Sequence, residues 1–106
     1  AERLAGWWLL AKGYRILARD LRTPVGEIDL IVRRGRILAA IEVKARGDWE
    51  SASAAVLGRQ RRRVTRALEQ FLAARPDLIA LDARFDVMLV VPWHLPRHLR
   101  DAWRIG

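Results

Sequence analysis

The sequence predicts one α/β domain in which helices flank a mixed sheet, with the elements in the order αβββαβ. Three apolar segments at residues 14–22, 27–33 and 37–45 are typical of strands, and the short turns between them favour antiparallel pairing. A helical segment separates the third strand from a fourth at 84–91, and a helical crossover favours parallel pairing. A chain of 106 residues suffices for one core, so residues 1–106 are expected to form a single domain.

Local signals delimit the elements of the first half. Residues 2–12 carry apolar side chains at helical spacing, and Gly13 is a typical stop for such a helix. Turn-forming residues at 23–26 and at 34–35 separate the three strands. The third strand, Ile37 to Ala45, is apolar on both faces, which indicates a central position in the sheet.

The second half begins with a polar loop at residues 46–51. A long helix is predicted from about Ala52 to Ala74, because its apolar residues follow helical spacing on either side of a charged turn. The proline-containing segment 75–77 ends this helix. Beyond Pro92 the pattern predicts a short edge strand or a turn.

The charge balance indicates a polyanionic partner. Twenty basic residues stand against twelve acidic ones, and nucleic acid is the commonest partner of a small domain with a formal net charge of +8. The alternative is a protein that is basic without such a partner. Eighteen of the cations are Arg, whereas only Lys12 and Lys44 are Lys, so the choice of Lys44 within an apolar strand calls for a chemical reason.

Absent residue types exclude several classes of site. The chain has no cysteine, which excludes disulfides, thiolate chemistry and cysteine-based zinc sites and fits a cytoplasmic protein. No apolar run approaches the roughly 18 residues of a membrane helix, so no membrane association is expected. His94 and His98 are four residues apart, but Pro96 lies between them and no third ligand is evident, so zinc is not expected.

Acidic residues on two neighbouring strands form the candidate site. Because side chains alternate along a strand, Asp29 is expected on the same face as Ile31, with Ile28 on the opposite face. Glu42 and Lys44 share a face of the third strand. If these strands pair through the turn between them, Asp29 and Glu42 lie close together at one end of the sheet.

Binding of a divalent cation would account for such a pair of carboxylates. Two half-buried carboxylates repel each other, and Mg²⁺ or Mn²⁺ removes this cost while keeping waters for a substrate. A bound cation neutralises phosphate oxygens and lowers the pKa of a water, and a lysine stabilises the negative charge that develops. Lys44 is a compact charge suited to this role. The competing interpretation is a salt bridge of Lys44 with Glu42 or Asp29, contributing about 0–1 kcal/mol if exposed.

Five motifs of the chain form a recognisable set: Gly26-Glu27-Ile28-Asp29-Leu30-Ile31, Glu42-Val43-Lys44-Ala45-Arg46, Arg84-Phe85-Asp86-Val87, Glu2-x-x-Ala5 and Gly13-Tyr14-x-Ile16-Leu17-x-Arg19. The set resembles the bacterial YraN-like family. That family belongs to the restriction-endonuclease-like superfamily with PD-(D/E)xK signatures and is similar to archaeal Holliday junction resolvases. The match covers nearly the whole chain, and the set is specific although each motif alone is not.

The resemblance implies a restriction-endonuclease-like αβββαβ core and a site made from Asp29, Glu42 and Lys44. It also implies that Glu2 supplies the helix-borne acid of the resolvases, although an acid that favours the start of a helix is an equal alternative. The chain departs from the family where Asp20 replaces the usual Asn. It departs again at Arg59, where the family tends to have lysine; a catalytic role through lysine is then in doubt, whereas Arg serves equally if the position holds phosphate.

A basic surface is predicted on the long helix. Arg59, Arg62, Arg63 and Arg66 share one helical face and are expected to follow a phosphate backbone, unless they form a merely solvated face. This expected nucleic-acid surface is extended by Arg46 and Trp49, which both follow the third strand. The ring of Trp49 is a candidate for stacking on a base.

Asp86, on the fourth strand, is interpreted as a structural residue.

Three functions remain open from the sequence. The first is a nuclease that depends on Mg²⁺ or Mn²⁺ and acts on DNA, branched DNA included, with Asp29, Glu42 and the Val43 carbonyl as metal ligands. The second is a non-catalytic nucleic-acid-binding module that keeps the nuclease fold. The third is a scaffold for an acidic protein. Because related resolvases are dimers, the resemblance is also compatible with a homodimer.

Overall fold

A five-stranded mixed sheet forms the centre of the computed structural model, which describes residues 1–55 and 61–103. The strands lie in the order β1-β2-β3-β4-β5, with β3 and β4 parallel and the other neighbours antiparallel. The elements are α1 (Glu2–Ala11), β1 (Arg15–Thr23), β2 (Gly26–Arg34), β3 (Ile37–Ala45), α2 (Trp49–Ala55), α3 (Arg61–Ala73), a 3₁₀ turn (Pro76–Leu78), β4 (Asp82–Val90) and β5 (Arg97–Trp103). The predicted α/β class and the αβββαβ order are confirmed.

The helices cover the sheet from both sides. Leu9 of α1 packs with Leu30, Ile41 and other residues of one face. On the opposite face, Leu68 of α3 packs with Ile31 and its neighbours, and α2 covers the β4 side of that face. The central strands β2 and β3 are thus buried on both faces, in agreement with their apolar sequences.

The turn chemistry accounts for the hairpins. The Thr23 hydroxyl accepts hydrogen bonds from the backbone N–H groups of Val25 and Gly26 and donates one to the Gly26 carbonyl, which closes the β1–β2 turn. Gly35 in the β2–β3 turn has φ +60°, and Gly13 after α1 has φ +89°, a conformation that favours glycine.

The predicted long helix is described as two helices, and the residues between them, which include Arg59, lie outside the described part of the chain. Helix α2 begins at Trp49, three residues before the predicted start, because the Asp48 carboxylate caps the backbone N–H of Ser51 at 2.7 Å. The predicted boundary at Ala52 and the loop position of Trp49 are therefore wrong.

The sequence predicted either an edge strand or a turn beyond Pro92, and the structure shows an edge strand. β5 pairs antiparallel with β4, with Val87 opposite Leu99. Within residues 1–55 and 61–103, no helix combines the length and apolarity that crossing a membrane requires.

Candidate active site

A cleft opens where β2 and β3 separate. Their backbone pairing ends at Leu30 and Ile41, whereas β3 continues to pair with β4 as far as Ala45. The Asp29 carboxylate takes the place of the next backbone partner, because its Oδ2 accepts a hydrogen bond of 2.8 Å from the Val43 N–H. The side chain of Asp29 therefore closes the sheet at the point where the strands part.

The cleft holds carboxylates and one ammonium. Its volume is about 220 Å³, and it is lined by Glu27, Ile28, Asp29, Ile41, Glu42, Lys44 and Val64. Lys44 Nζ lies 2.9 Å from Glu42 Oε1, with both side chains about a quarter exposed. The salt bridge that competed with a catalytic interpretation is thus present, and it lies inside the cleft.

The predicted orientation of Ile28 on β2 is wrong. Strict alternation places Ile28 and Ile31 on opposite faces, yet both pack in the cluster beneath α3, while Leu30 packs beneath α1. The strand therefore changes its facing around Asp29, which lies at the point of change and reaches the backbone of β3.

A glycine brings the start of β2 against α3. A Cβ atom on Gly26 would collide with the backbone carbonyl of Arg63, so only glycine allows this approach. Val64, the next residue of α3, lines the cleft. The contact holds the start of β2 against the first turn of α3, which lies beside the acidic cleft.

Burial and neighbouring carboxylates raise the pKa of Asp29 to about 6. Burial is the largest cause, and the charges of Glu2 and Glu42 add to it, whereas the hydrogen bond from Val43 opposes the shift. Glu2 thus lies close enough to interact with Asp29 although it is the first residue of α1. Both other acids expected in the site therefore act on Asp29.

The donor set fits a hard divalent cation. Burial and the nearby charges of Glu2 and Glu42 raise the pKa of Asp29, and Mg²⁺ and Mn²⁺ bind such carboxylate oxygens. In the described part of the chain, no group of three or more His, Cys, Asp or Glu side chains is arranged to hold a metal. A cation here would need Asp29 and Glu42 together with backbone oxygens and water. Val43 gives its N–H to Asp29, and the role of its carbonyl stays a prediction.

Part of the predicted basic surface borders the cleft. Arg62, Arg63 and Arg66 are exposed on α3, whose Val64 lines the cleft. Arg46 is exposed just beyond β3, and its guanidinium donates a 2.7 Å hydrogen bond to the Ala45 carbonyl. These cations are available to a partner, and their function is not tested by the fold.

Trp49 has contacts that restrict its predicted stacking role. The Arg97 guanidinium lies 4.0 Å from the centre of its ring, and the His94 ring meets it edge to face at 5.4 Å. The side chain is half-buried against the cluster that contains Ala52. A base could stack on Trp49 only if Arg97 moved away.

A second polar cluster was not foreseen from the sequence. Asp86 is 1% exposed and accepts two hydrogen bonds from Arg84, of 2.9 and 2.8 Å, and one of 2.7 Å from His98. The Asp101 N–H donates another at 2.8 Å, and Arg84 also donates to the Tyr14 hydroxyl at 2.9 Å. Burial opposes ionisation of Asp86, but these hydrogen bonds outweigh it and lower the pKa of the carboxyl. The structural interpretation of Asp86 agrees with this geometry.

Asp20, at the position where the resemblance implies Asn, has a left-handed backbone conformation. Its φ is 47°, and Asn and Asp are the residues other than glycine that tolerate this region best. The departure from the family pattern therefore has little structural cost.

Sequence comparisons place these features in a family. The profile of Uncharacterised protein family UPF0102 matches residues 1–90. A UPF0102 protein of Parvibaculum lavamentivorans is 58% identical over 104 residues, which cover 98% of this chain and 78% of the relative. A UPF0102 protein of Paramagnetospirillum magneticum is 49% identical over 109 residues, covering 99% and 84% respectively. The chain therefore belongs to the UPF0102 family, whose members are the YraN-like proteins.

Proposed function

We propose that this protein is a metal-dependent nuclease that hydrolyses phosphodiester bonds in DNA at the Asp29–Glu42–Lys44 cleft. The observation that carries the proposal is the raised pKa of Asp29, about 6, in a cleft that also holds Glu42 and the Lys44 ammonium. A cluster of acids without enough positive charge beside an exposed basic helix is the arrangement that a cation and a phosphate would complete.

Each residue has a distinct task in this proposal. Asp29 and Glu42 would hold Mg²⁺ or Mn²⁺, which supplies an activated water and neutralises the phosphate. Glu2 would hydrogen-bond to the water ligands from the start of α1. Lys44, 2.9 Å from Glu42, would donate to the attacking water or to the phosphate oxygen on which charge develops. The exposed Arg62, Arg63 and Arg66 would hold the DNA backbone.

The resemblance to the restriction-endonuclease-like superfamily supports the proposal. The Asp on one strand and the Glu-x-Lys of the next match its PD-(D/E)xK signature, carried here by Asp29, Glu42 and Lys44. The further similarity to Holliday junction resolvases makes branched DNA a substrate class to test beside linear DNA.

The largest expected effect is loss of cleavage on removal of Lys44. We expect Lys44→Ala to lower the rate about 10²–10³-fold, since a lost transition-state donor has this scale of effect. The rate is measured on end-labelled linear and branched DNA with Mn²⁺ or Mg²⁺. The matched control is Lys12→Ala, at the chain's other lysine, which stacks on Trp8 outside the cleft. Equal cleavage by wild type and Lys44→Ala would exclude this site.

A non-catalytic nucleic-acid-binding module is the second candidate. It is favoured by the Lys44–Glu42 ion pair, which already satisfies both groups, and by the lack of a three-acid metal group in the described residues. This candidate predicts DNA binding with a steep salt dependence, no heat of metal binding and no product. Calorimetric titration of Mn²⁺ into wild type and Asp29→Asn separates the two candidates.

A further inference from the structure

The loop between β4 and β5 holds a fully exposed tryptophan. Trp93 is 101% exposed, and its φ of 65° lies in the left-handed region, where a bulky residue is strained. Pro92 and Pro96 flank the loop, and the His94 N–H donates a 3.2 Å hydrogen bond to the Val91 carbonyl. The loop is therefore a stiff turn that holds an indole ring in solvent.

Trp93 forms one wall of a groove beside the acidic cleft. The groove has a volume of about 510 Å³, and Leu4 of α1, itself 48% exposed, lines it with Trp93. Its floor includes Ala45, Arg46 and Gly47, which follow directly after Lys44. The cleft lies on the α3 side of the sheet and the groove on the α1 side, so the two sites meet at the end of β3, where Ala45 follows Lys44.

The charge of the groove favours a nucleic-acid occupant. Arg46 lines it, and no acidic residue does among the parts of the chain that the structure describes. A groove with one cation, exposed apolar walls and a free aromatic ring has the features of a site for a base and its phosphate. Trp49 lacks this freedom because Arg97 covers its ring at 4.0 Å.

We propose that the Trp93 groove binds an unpaired nucleobase, so that the substrate of the adjacent cleft is nucleic acid with a single-stranded segment. The base stacks on the Trp93 indole, and Arg46 contacts the neighbouring phosphate. A fully paired duplex has no free base face and gains nothing from the ring. The choice of substrate rests on the proposed nuclease function, whereas base binding itself does not.

The test compares single-stranded and blunt duplex DNA by fluorescence anisotropy in EDTA, where no cleavage occurs. We expect Trp93→Ala to weaken binding of the single strand about tenfold and to change duplex binding less than twofold. Trp93→Phe should restore most of the affinity, because a phenyl ring also stacks. The matched control is Ile79→Ala, which removes an apolar side chain that is 68% exposed on the 3₁₀-turn side of the molecule.

A second measurement identifies the base contact directly. The fluorescence of 2-aminopurine in the single strand should be quenched on binding to wild type and recover with Trp93→Ala. An equal loss of affinity for single strand and duplex, or no loss for either, would overturn the proposal. It would also be overturned if Trp93→Ala converted a dimer to a monomer in sedimentation while single-strand affinity stayed unchanged, because the groove would then be a self-association surface.

Failure of the nuclease proposal has a different signature. If no metal supports cleavage but single-strand binding depends on Trp93, the base site stands and the enzyme assignment falls. If DNA is cleaved in a Lys44-dependent manner but Trp93→Ala cuts single-stranded and duplex DNA as wild type does, the enzyme assignment stands and the base site falls.

Discussion

The pKa values of two carboxylates on different strands of the sheet are shifted in opposite directions. Asp86 on β4 is surrounded by Arg84, His98 and the Asp101 N–H, and these hydrogen bonds lower its pKa despite burial. Asp29 on β2 accepts one backbone hydrogen bond and has two acids nearby, and its pKa rises to about 6. Asp86 is satisfied by the fold itself, whereas Asp29 needs something that the fold does not supply. This contrast, more than the motif, distinguishes a structural acid from a candidate functional one.

Removal of Asp86 should have the larger effect on stability. We expect Asp86→Ala to lower the free energy of unfolding by about 3–5 kcal/mol, because Arg84 and His98 would lose a buried partner. Chemical denaturation with urea measures the change. Asp82→Ala, which removes an exposed acid from the same strand, is the control and should change stability by less than about 0.5 kcal/mol. Similar effects of the two variants would show that the buried network contributes little.

A substitution at Asp29 is expected to have the opposite effect on stability. Asp29→Asn keeps an acceptor for the Val43 N–H and removes a charge that Glu2 and Glu42 repel, so it should stabilise the metal-free protein at pH 7. After allowance for solvent screening of this half-buried group, the gain is about 1 kcal/mol. Thermal denaturation in EDTA tests it, and the advantage should disappear when Mn²⁺ is added, since only wild type binds the cation. Destabilisation in EDTA would contradict an unbalanced negative charge at Asp29.

The raised pKa of Asp29 also predicts how stability and metal affinity depend on pH. The native protein keeps the Asp29 proton up to about pH 6 while the unfolded chain loses it near 4, so this group's contribution to stability falls as pH rises between them. Affinity for Mn²⁺ should therefore increase through about pH 6, up to about tenfold per pH unit below it, because the cation competes with a proton. Calorimetry across this range gives the titration midpoint. An affinity that is flat between pH 5 and 7 would place the metal elsewhere.

The smallest effect is expected on the basic surface. Arg62→Ala with Arg66→Ala should weaken DNA binding several-fold and reduce the salt slope by about one for each phosphate that an arginine no longer neutralises. Binding isotherms at several salt concentrations give the slope. The control pair, Arg15→Ala with Arg100→Ala, removes the same charge from the exposed edges β1 and β5. Equal slopes for the two pairs would mean that α3 attracts DNA through net charge alone.

Local patterns made much of this fold predictable. β3 matches its predicted bounds, Ile37–Ala45, because a turn and a polar segment delimit a long apolar run. The start of α2 was missed because Asp48 caps a helix within a segment whose composition is that of a loop. Asp48 followed three residues later by Ser51 was the signal that the sequence offered.

Long-range geometry limited the prediction of the sites. Alternation brought Asp29 toward Glu42, but it contains neither the contact of Gly26 with the Arg63 backbone nor the position of Ile28 beneath α3. The contact of Arg84 with Tyr14 joins residues 70 positions apart, and no local pattern contains it. The exposure of Trp93 and its φ of 65° are features of the folded chain that the sequence pattern does not contain.

The hydrogen bond from the Val43 N–H to Asp29 has a consequence for how this family can change over time. Asparagine offers an oxygen in the same position, and a single base change converts either aspartate codon into an asparagine codon. The sheet would still close at the cleft, the fold would be slightly more stable, and the charge for a cation would be gone. Under the proposed nuclease function, loss of the metal site is thus one nucleotide away, and we expect a relative with Asn at this position to bind nucleic acid without cutting it.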